Sequence, residues 1–185
     1  MLKSPSAFIA KPIVFPGAFS KNECDRVSSL AAKVGITAAR LDGAWDDYRV
    51  GQVAWLEKED SETKWVVQKI AGMVEEANRE FRFNLSSICH RLQITQYDES
   101  GKFEWHHDCD PDDIVTRKLT VMVQLSERSD YDGGEFEIFP YGVPAFSKAR
   151  GSATIFPAFL FHRVTELQRG KRQALISWAD GPPFE

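Results

Sequence analysis

Past Asn84 the apolar residues of this chain stop recurring every three or four positions and begin to alternate. Six short runs follow, "CHRLQITQY", "KLTVMVQL", "GEFEIFP", "GSATIFP", "FHRVTEL" and "RQALISWA", divided by turn signals such as "YDGGE" and "RGK". A period of two over so few residues is the mark of strands with one face buried. Many short strands expose many edges, and a closed or double-sheet barrel hides them. The segment before Asn84 has a different rhythm. "PIVFPGAFS" reads as a strand broken by a Pro-Gly turn, and "YRVGQVAWLE" as a strand with its own turn. Ser20, with Glu23 three residues on, has the form of a capping box that starts a helix, and Gly35 is its stop. "SETKWVVQKIAGMVEEANREF" is the clearest helix, with Ile70, Val74, Ala77 and Phe81 on or near one side. Helices first and strands afterwards predict an α+β fold, with a helix-rich part over 1–82 and a β core over 83–185.

One domain suffices for 185 residues of which 43% are apolar. The net charge of −4, with Arg163 to Arg172 the only dense basic stretch and acidic residues dominant elsewhere, argues against a duplex nucleic-acid partner. No apolar run approaches the ~18 residues of a membrane span. The first seventeen residues are interrupted by Pro5, Pro12 and Pro16, which makes a poor signal peptide. Cys24, Cys89 and Cys109 are odd in number and far apart, unlike a disulfide framework. A soluble cytoplasmic protein is expected. Nothing in the pattern sets its oligomeric state.

The densest chemistry lies in "EWHHDCD", residues 104–110. On an extended strand His106 and Asp108 share a face and His107 takes the other. An imidazole and a carboxylate two residues apart offer two donors to one ion. His90, His107 and His162 are the available third donors. His162, near the end of an apolar run and beside a turn, is the choice. Two imidazoles and one carboxylate with open positions form the facial site of non-haem Fe(II) oxygenases. A structural zinc site finds no support, since no C-x2-C pair exists. A hairpin over 162–172 would set Arg172 across the ladder from His162, on the metal's side. A planar guanidinium beside an open metal face suits a keto acid with a second carboxylate.

Taken together, "YDESGKFEWHHD", "SDYDGGEFEIF", "FPAFLFHRVTELQRGKR" and "SWADGPPF" resemble the Fe(II)/2-oxoglutarate-dependent dioxygenases, in their prolyl 4-hydroxylase-like branch. The likeness runs through most of 83–184, with weaker echoes in "QVAWL" and "EEANREFRFNL". It implies a double-stranded β-helix, or jelly roll, with the N-terminal helices packed against it. It implies His106, Asp108 and His162 on Fe(II) and Arg172 on the cosubstrate carboxylate. It also implies Tyr97 at the cosubstrate and Thr120 as a further hydroxyl there, with no catalytic residue beyond the metal ligands. The expected reaction consumes O2 and 2-oxoglutarate, with ascorbate as a candidate supporting reductant, and hydroxylates a C–H bond. The branch points to a prolyl or other side chain of a protein or peptide. The alternatives are a free amino acid or other small metabolite, and a metal-binding jelly roll without catalysis.

Plainer roles compete for several of these residues. His106 and Asp108 could lie in a solvated turn, Arg172 on the surface after a hairpin, and Tyr97 in the core. His90 reads as a buried strand residue, and Cys109 as a target for oxidation beside the metal. Trp45, Trp55, Trp65 and Trp178 are core candidates, and Trp105 faces away from His106. "CDPDDIVTR" could form part of a lid. Asp110, Asp112 and Asp113 would attract a cation there, or simply be solvated.

Overall fold

The computed structural model describes residues 11–39, 47–88, 91–109, 116–145 and 147–183. The chain begins with β1 (Ile13–Phe15), α1 (Lys21–Val34), β2 (Thr37–Ala38), β3 (Arg49–Val50), β4 (Gln52–Glu57) and α2 (Lys64–Phe81). The strands β5 (Ser87–Ile88), β6 (Arg91–Tyr97), β7 (Lys102–His106), β8 (Arg117–Gln124), β9 (Tyr131–Gly133) and β10 (Phe136–Ile138) follow. The last four are β11 (Ala153–Pro157), β12 (His162–Val164), β13 (Leu167–Gly170) and β14 (Arg172–Asp180). Among the described residues no helix is long and apolar enough to cross a membrane.

The strands pair antiparallel in two main sheets. The larger runs β1-β11-β8-β14-β6-β4-β2, with β5 also on β14, and the smaller runs β10-β12-β7-β3. A short β13-β9 pair stands beside them. Two facing sheets with this connectivity make the jelly roll, and the α+β expectation holds. The helices both precede residue 83, yet β1 and β4 from that half pair with β11 and β6 of the other. The chain is therefore one layered unit rather than a helical part followed by a sheet part.

Period-two patterning explains the layers. On the larger sheet Leu92, Ile94, Leu119, Val121, Val123, Ile155 and Leu175 face the helices and pack with Val27, Val66, Ile70 and Val74. Their neighbours Tyr97, Met122, Phe156 and Ala174 face the smaller sheet and meet Phe136, Ile138 and Val164. The capping box is present: Ser20 N–H donates to Glu23 Oε2 at 2.7 Å, and Glu23 N–H to Ser20 Oγ at 3.3 Å. Gly35 caps the end of α1.

One expected pairing is overturned. Residues 162–172 form no hairpin, and His162 is not Arg172's partner. His162 pairs with His106 and with Ile138 in the smaller sheet, while Arg172 pairs with Tyr97 in the larger. Between them β13 turns aside to pair with β9, because the chain crosses from one sheet to the other. Both side chains still reach the space between the sheets.

Candidate metal centre and cavity

The sheets enclose a cavity of about 560 Å³, and its lining follows from strand alternation. From β14 come Arg172, Ala174, Ile176 and Trp178; from β8, Thr120 and Met122; from β6, Gln93, Thr95 and Tyr97.

His106 ends β7 and His162 opens β12, and the two are direct partners across the ladder. Their ring centroids lie 4.2 Å apart. Asp108 sits just past the end of β7, where its N–H donates to Ala158 O at 2.9 Å. The donor atoms of His106, Asp108 and His162 all fall within 4.8 Å of one another. The imidazoles are held alike, with Nδ1 2.7 Å from Glu104 O in His106 and 3.0 Å from Leu160 O in His162. A carbonyl only accepts, so Nδ1 carries the hydrogen and Nε2 keeps its lone pair. The two Nε2 atoms face the Asp108 oxygens at 3.9 and 3.7 Å, too far for good hydrogen bonds. Donors about 2.1 Å from a common ion stand roughly 3 Å apart across an octahedral edge. A small closure would thus let the three hold one divalent cation.

Electrostatics agree with that chemistry. Burial and then the nearby His162 push the His106 pKa down to about 3, with Asp108 opposing. A neutral imidazole is the form that ligates. Burial pushes the Asp108 carboxyl up, but the two histidines and its hydrogen bonds outweigh it and hold it below the usual carboxylate range. Those hydrogen bonds come from Thr120 Oγ1 at 2.6 Å and Trp178 Nε1 at 2.9 Å, both to Oδ2. Oδ1 is left toward His106.

Arg172 is 2% exposed. No carboxylate pairs with it among the described residues. Its stem passes Gly134, where an added Cβ would lie 3.2 Å from Arg172 Cδ and 2.6 Å from Leu167 Cδ1. Gly134 has φ +58°, which a side chain would strain. Tyr97, at the partner position on β6, is also 2% exposed. Burial raises the pKa of its phenol, against the pull of Arg49 and Arg172.

The structure sorts the residues singled out above. His106, Asp108 and His162 converge, and Arg172 is buried rather than on the surface. Thr120 reaches the cavity, but its hydroxyl is engaged by Asp108 instead of facing the ground beside Arg172. Trp178 is buried yet lines the cavity rather than merely filling the core, and Trp55 is 39% exposed at the rim, 6.3 Å from the Trp178 ring. Trp105 also lines the cavity, with the Arg163 guanidinium 4.8 Å from its ring centroid. His107 packs edge-on against Phe161 at the rim. Cys109 donates from Sγ to Arg117 O at 3.4 Å, and burial pushes its pKa up to about 11, which withholds the reactive thiolate. His90, Trp45 and the acidic residues Asp110, Asp112 and Asp113 lie outside the described residues. Trp178 and Gly134 were missed as site residues. Trp178 shares the parity of Arg172 on one strand, and that signal was available.

Comparisons with known proteins agree with the geometry. The family model described as 2OG-Fe(II) oxygenase superfamily matches residues 92–180. A PKHD-type hydroxylase of Synechococcus sp. (strain JA-2-3B'a(2-13)) is 25% identical over 84% of this chain and 72% of its own length. A PKHD-type hydroxylase of Cupriavidus pinatubonensis is 29% identical over 80% of this chain and 73% of its own. Among solved structures, a Pseudomonas putida prolyl-4-hydroxylase aligns with TM-score 0.73 at 14% identity, over 93% of this chain and 94% of that one. A Trichoplax adhaerens prolyl hydroxylase, in complex with a hypoxia inducible factor oxygen degradation domain peptide fragment, aligns with TM-score 0.72 at 14% identity, over 93% and 84%.

Proposed function

We propose that this protein is a 2-oxoglutarate–Fe(II) oxygenase of the prolyl 4-hydroxylase-like kind, that His106, Asp108 and His162 hold its iron, that Arg172 seats the far carboxylate of 2-oxoglutarate, and that its target is a side chain of a protein or peptide, most simply proline. The observation that carries this reading is Arg172. A guanidinium buried to this degree without a carboxylate is costly, unless an anion from outside completes it. A dicarboxylate fits, because the donor set lies in the same cavity.

Fe(II), O2 and the keto acid supply the oxidising power that inserts oxygen into a C–H bond. The chain's own residues set the stage. The two Nδ1–carbonyl hydrogen bonds fix the planes of the imidazoles. Thr120 and Trp178 occupy Asp108 Oδ2, so Oδ1 would be the oxygen that the carboxylate offers to a metal. Arg172 and Trp178 mark opposite ends of one strand face, six residues or roughly 20 Å apart by strand rise. Ala174 and Ile176 between them add apolar lining to the cavity.

The peptide half of the reading is supported by the prolyl-hydroxylase fold neighbours, one of them captured with a peptide. The test has two stages. Protein supplied with Fe(II), ascorbate, O2 and 2-oxoglutarate should form succinate, and a substrate should raise the rate. Proline-containing peptides and cell extract are then searched for products heavier by one oxygen. Oxygen found on a free amino acid would replace the substrate half alone. No succinate under any of these conditions would remove the iron half as well.

A further inference from the structure

The cavity holds a second guanidinium for which the roles above have no use. Arg49 lies on β3, the edge of the smaller sheet, with Phe103 of β7 as its cross-strand partner. Its Cζ stands 4.5 Å from the centroid of the Phe103 ring. That ring stacks in turn on His106, with centroids 3.5 Å apart and planes 18° from parallel. Since the imidazole already covers one face of the phenyl group, the guanidinium takes the other. The three planar groups form a column that ends on a proposed metal ligand.

Arg49 also faces the phenol of Tyr97. The Tyr97 ring has little freedom on that side. A Cβ at Gly51 would lie 3.0 Å from both Cδ1 and Cε1 of the ring. Tyr97 in turn is the ladder partner of Arg172. Arg49 therefore touches two aromatic groups, one leading to the metal ligands and the other bordering the anion site.

Its own needs are incompletely met. Arg49 has no ion-pair partner among the described residues. Its Nε is buried without a hydrogen-bond partner. A cation kept for stability alone is expected beside a carboxylate. One that stands over a ring and also borders a phenol is suited to orienting both. Lysine has neither the plane nor the fork to do the two things together.

We propose that Arg49 is a positioning residue shared by the two halves of the site. Through Phe103 it braces the stacked face of the His106 ring, whose edge the Glu104 carbonyl already holds, and through Tyr97 it positions the phenol beside Arg172. This rests on reading the cavity as an iron and keto-acid site.

The experiment uses full-length protein under anaerobic conditions. Mn(II) affinity, N-oxalylglycine affinity of the Mn(II)-loaded protein, and the thermal midpoint are measured for wild type, R49K, R49M, Y97F, F103L and the double variant R49M/Y97F. R49M should weaken both affinities about tenfold or more, the scale seen when groups behind metal ligands are removed. R49K should restore neither, although it keeps the charge. F103L should weaken mainly Mn(II) binding, and Y97F mainly N-oxalylglycine binding. In the Y97F background R49M should add little further loss of N-oxalylglycine affinity, because its path to that ligand is already cut. If R49M does not fold, R49K with Y97F and F103L carries the same comparison. Full recovery in R49K, or a lowered midpoint with both affinities unchanged, would overturn the proposal. Wild-type protein that binds neither Mn(II) nor N-oxalylglycine would overturn the site reading and this proposal with it.

Discussion

Replacing Arg172 with Met should produce two effects of opposite sign. The guanidinium is 2% exposed and has no carboxylate partner among the described residues, so it is a buried charge without a counter-ion there. Met keeps much of the stem's volume and removes the charge. Replacing buried ionic groups by apolar ones of similar size is often stabilising by about 1–4 kcal/mol. Even about 1 kcal/mol raises the melting temperature of a chain this size by roughly 2–4 °C. Ligand binding should move the other way. Truncating one member of a buried, hydrogen-bonded charge pair costs about 2–5 kcal/mol. At 1.36 kcal/mol per tenfold, that is roughly a 30- to 5,000-fold loss of affinity. The assay is calorimetric titration of N-oxalylglycine into Mn(II)-loaded protein, beside thermal melts of the metal-free protein. The affinity for Mn(II) itself should hardly change, since Arg172 stands at the far end of β14 from Trp178 and Asp108. N-oxalylglycine affinity within threefold of wild type would refute the argument, because the buried cation would then have no anion to serve.

Other expectations follow from named contacts. Thr120→Val and Trp178→Phe each remove one donor to Asp108 Oδ2, and each should lower Fe(II) affinity about 10- to 100-fold by anaerobic titration. Gly134→Ala places a Cβ against Leu167 and the Arg172 stem at positive φ. It should destabilise the fold by about 1–3 kcal/mol and raise the KM for 2-oxoglutarate, measured by denaturant melts and by succinate formation. Ser20→Ala should cost about 1 kcal/mol of stability through the lost cap of α1. Lys69 and then Ser20 hold the Glu23 carboxyl below its ordinary pKa. Its contribution is therefore complete above about pH 4.5 and is lost as the pH falls through the lowered value. Glu23→Gln should flatten that part of the stability–pH curve, and an unchanged curve would deny the carboxylate its part in the cap.

How much of this was legible in the residues depends on the range of the interaction. The capping box of Ser20 and Glu23 and the apolar side of α2 are local, and periodicity alone located them. The candidate metal donors were legible for a related reason. His106 and Asp108 are two apart, and His162 was the remaining histidine placed near a strand end. Pairing between distant strands was not legible. A hairpin over 162–172 satisfies every local rule, since it has a turn with Gly170 and alternating flanks. It fails because β12 and β14 each find better partners in different sheets, and no residue between 162 and 172 announces that crossing. The two helices misled in the same way about the first 82 residues, whose short strands complete both sheets.

The wrong pairing nevertheless put Arg172 in the same cavity as the three candidate donors, and the reason is geometric. In two sheets packed face to face, inward residues of both sheets meet in one interior, whichever strands are neighbours. Parity along a strand then decides more than partnership across it. Residues 172, 174, 176 and 178 of β14 all point inward. Once Arg172 is placed inside, Trp178 must be inside too, and its indole N–H needs an acceptor there. Asp108 supplies it. The strand that carries the proposed anion partner thus also holds the carboxylate of the candidate metal centre. A one-residue shift of β14 would turn Arg172 and Trp178 toward the helices together and exchange them for Lys171 and Ser177. Neither could replace the fork or the indole. Register in this strand is therefore a condition for chemistry as well as for folding. A residue inserted between Gln173 and Ala174, with 174–180 keeping their register, would turn Arg172 out of the cavity and should abolish N-oxalylglycine binding, whereas one inserted in the turn at Gly142 should leave it in place.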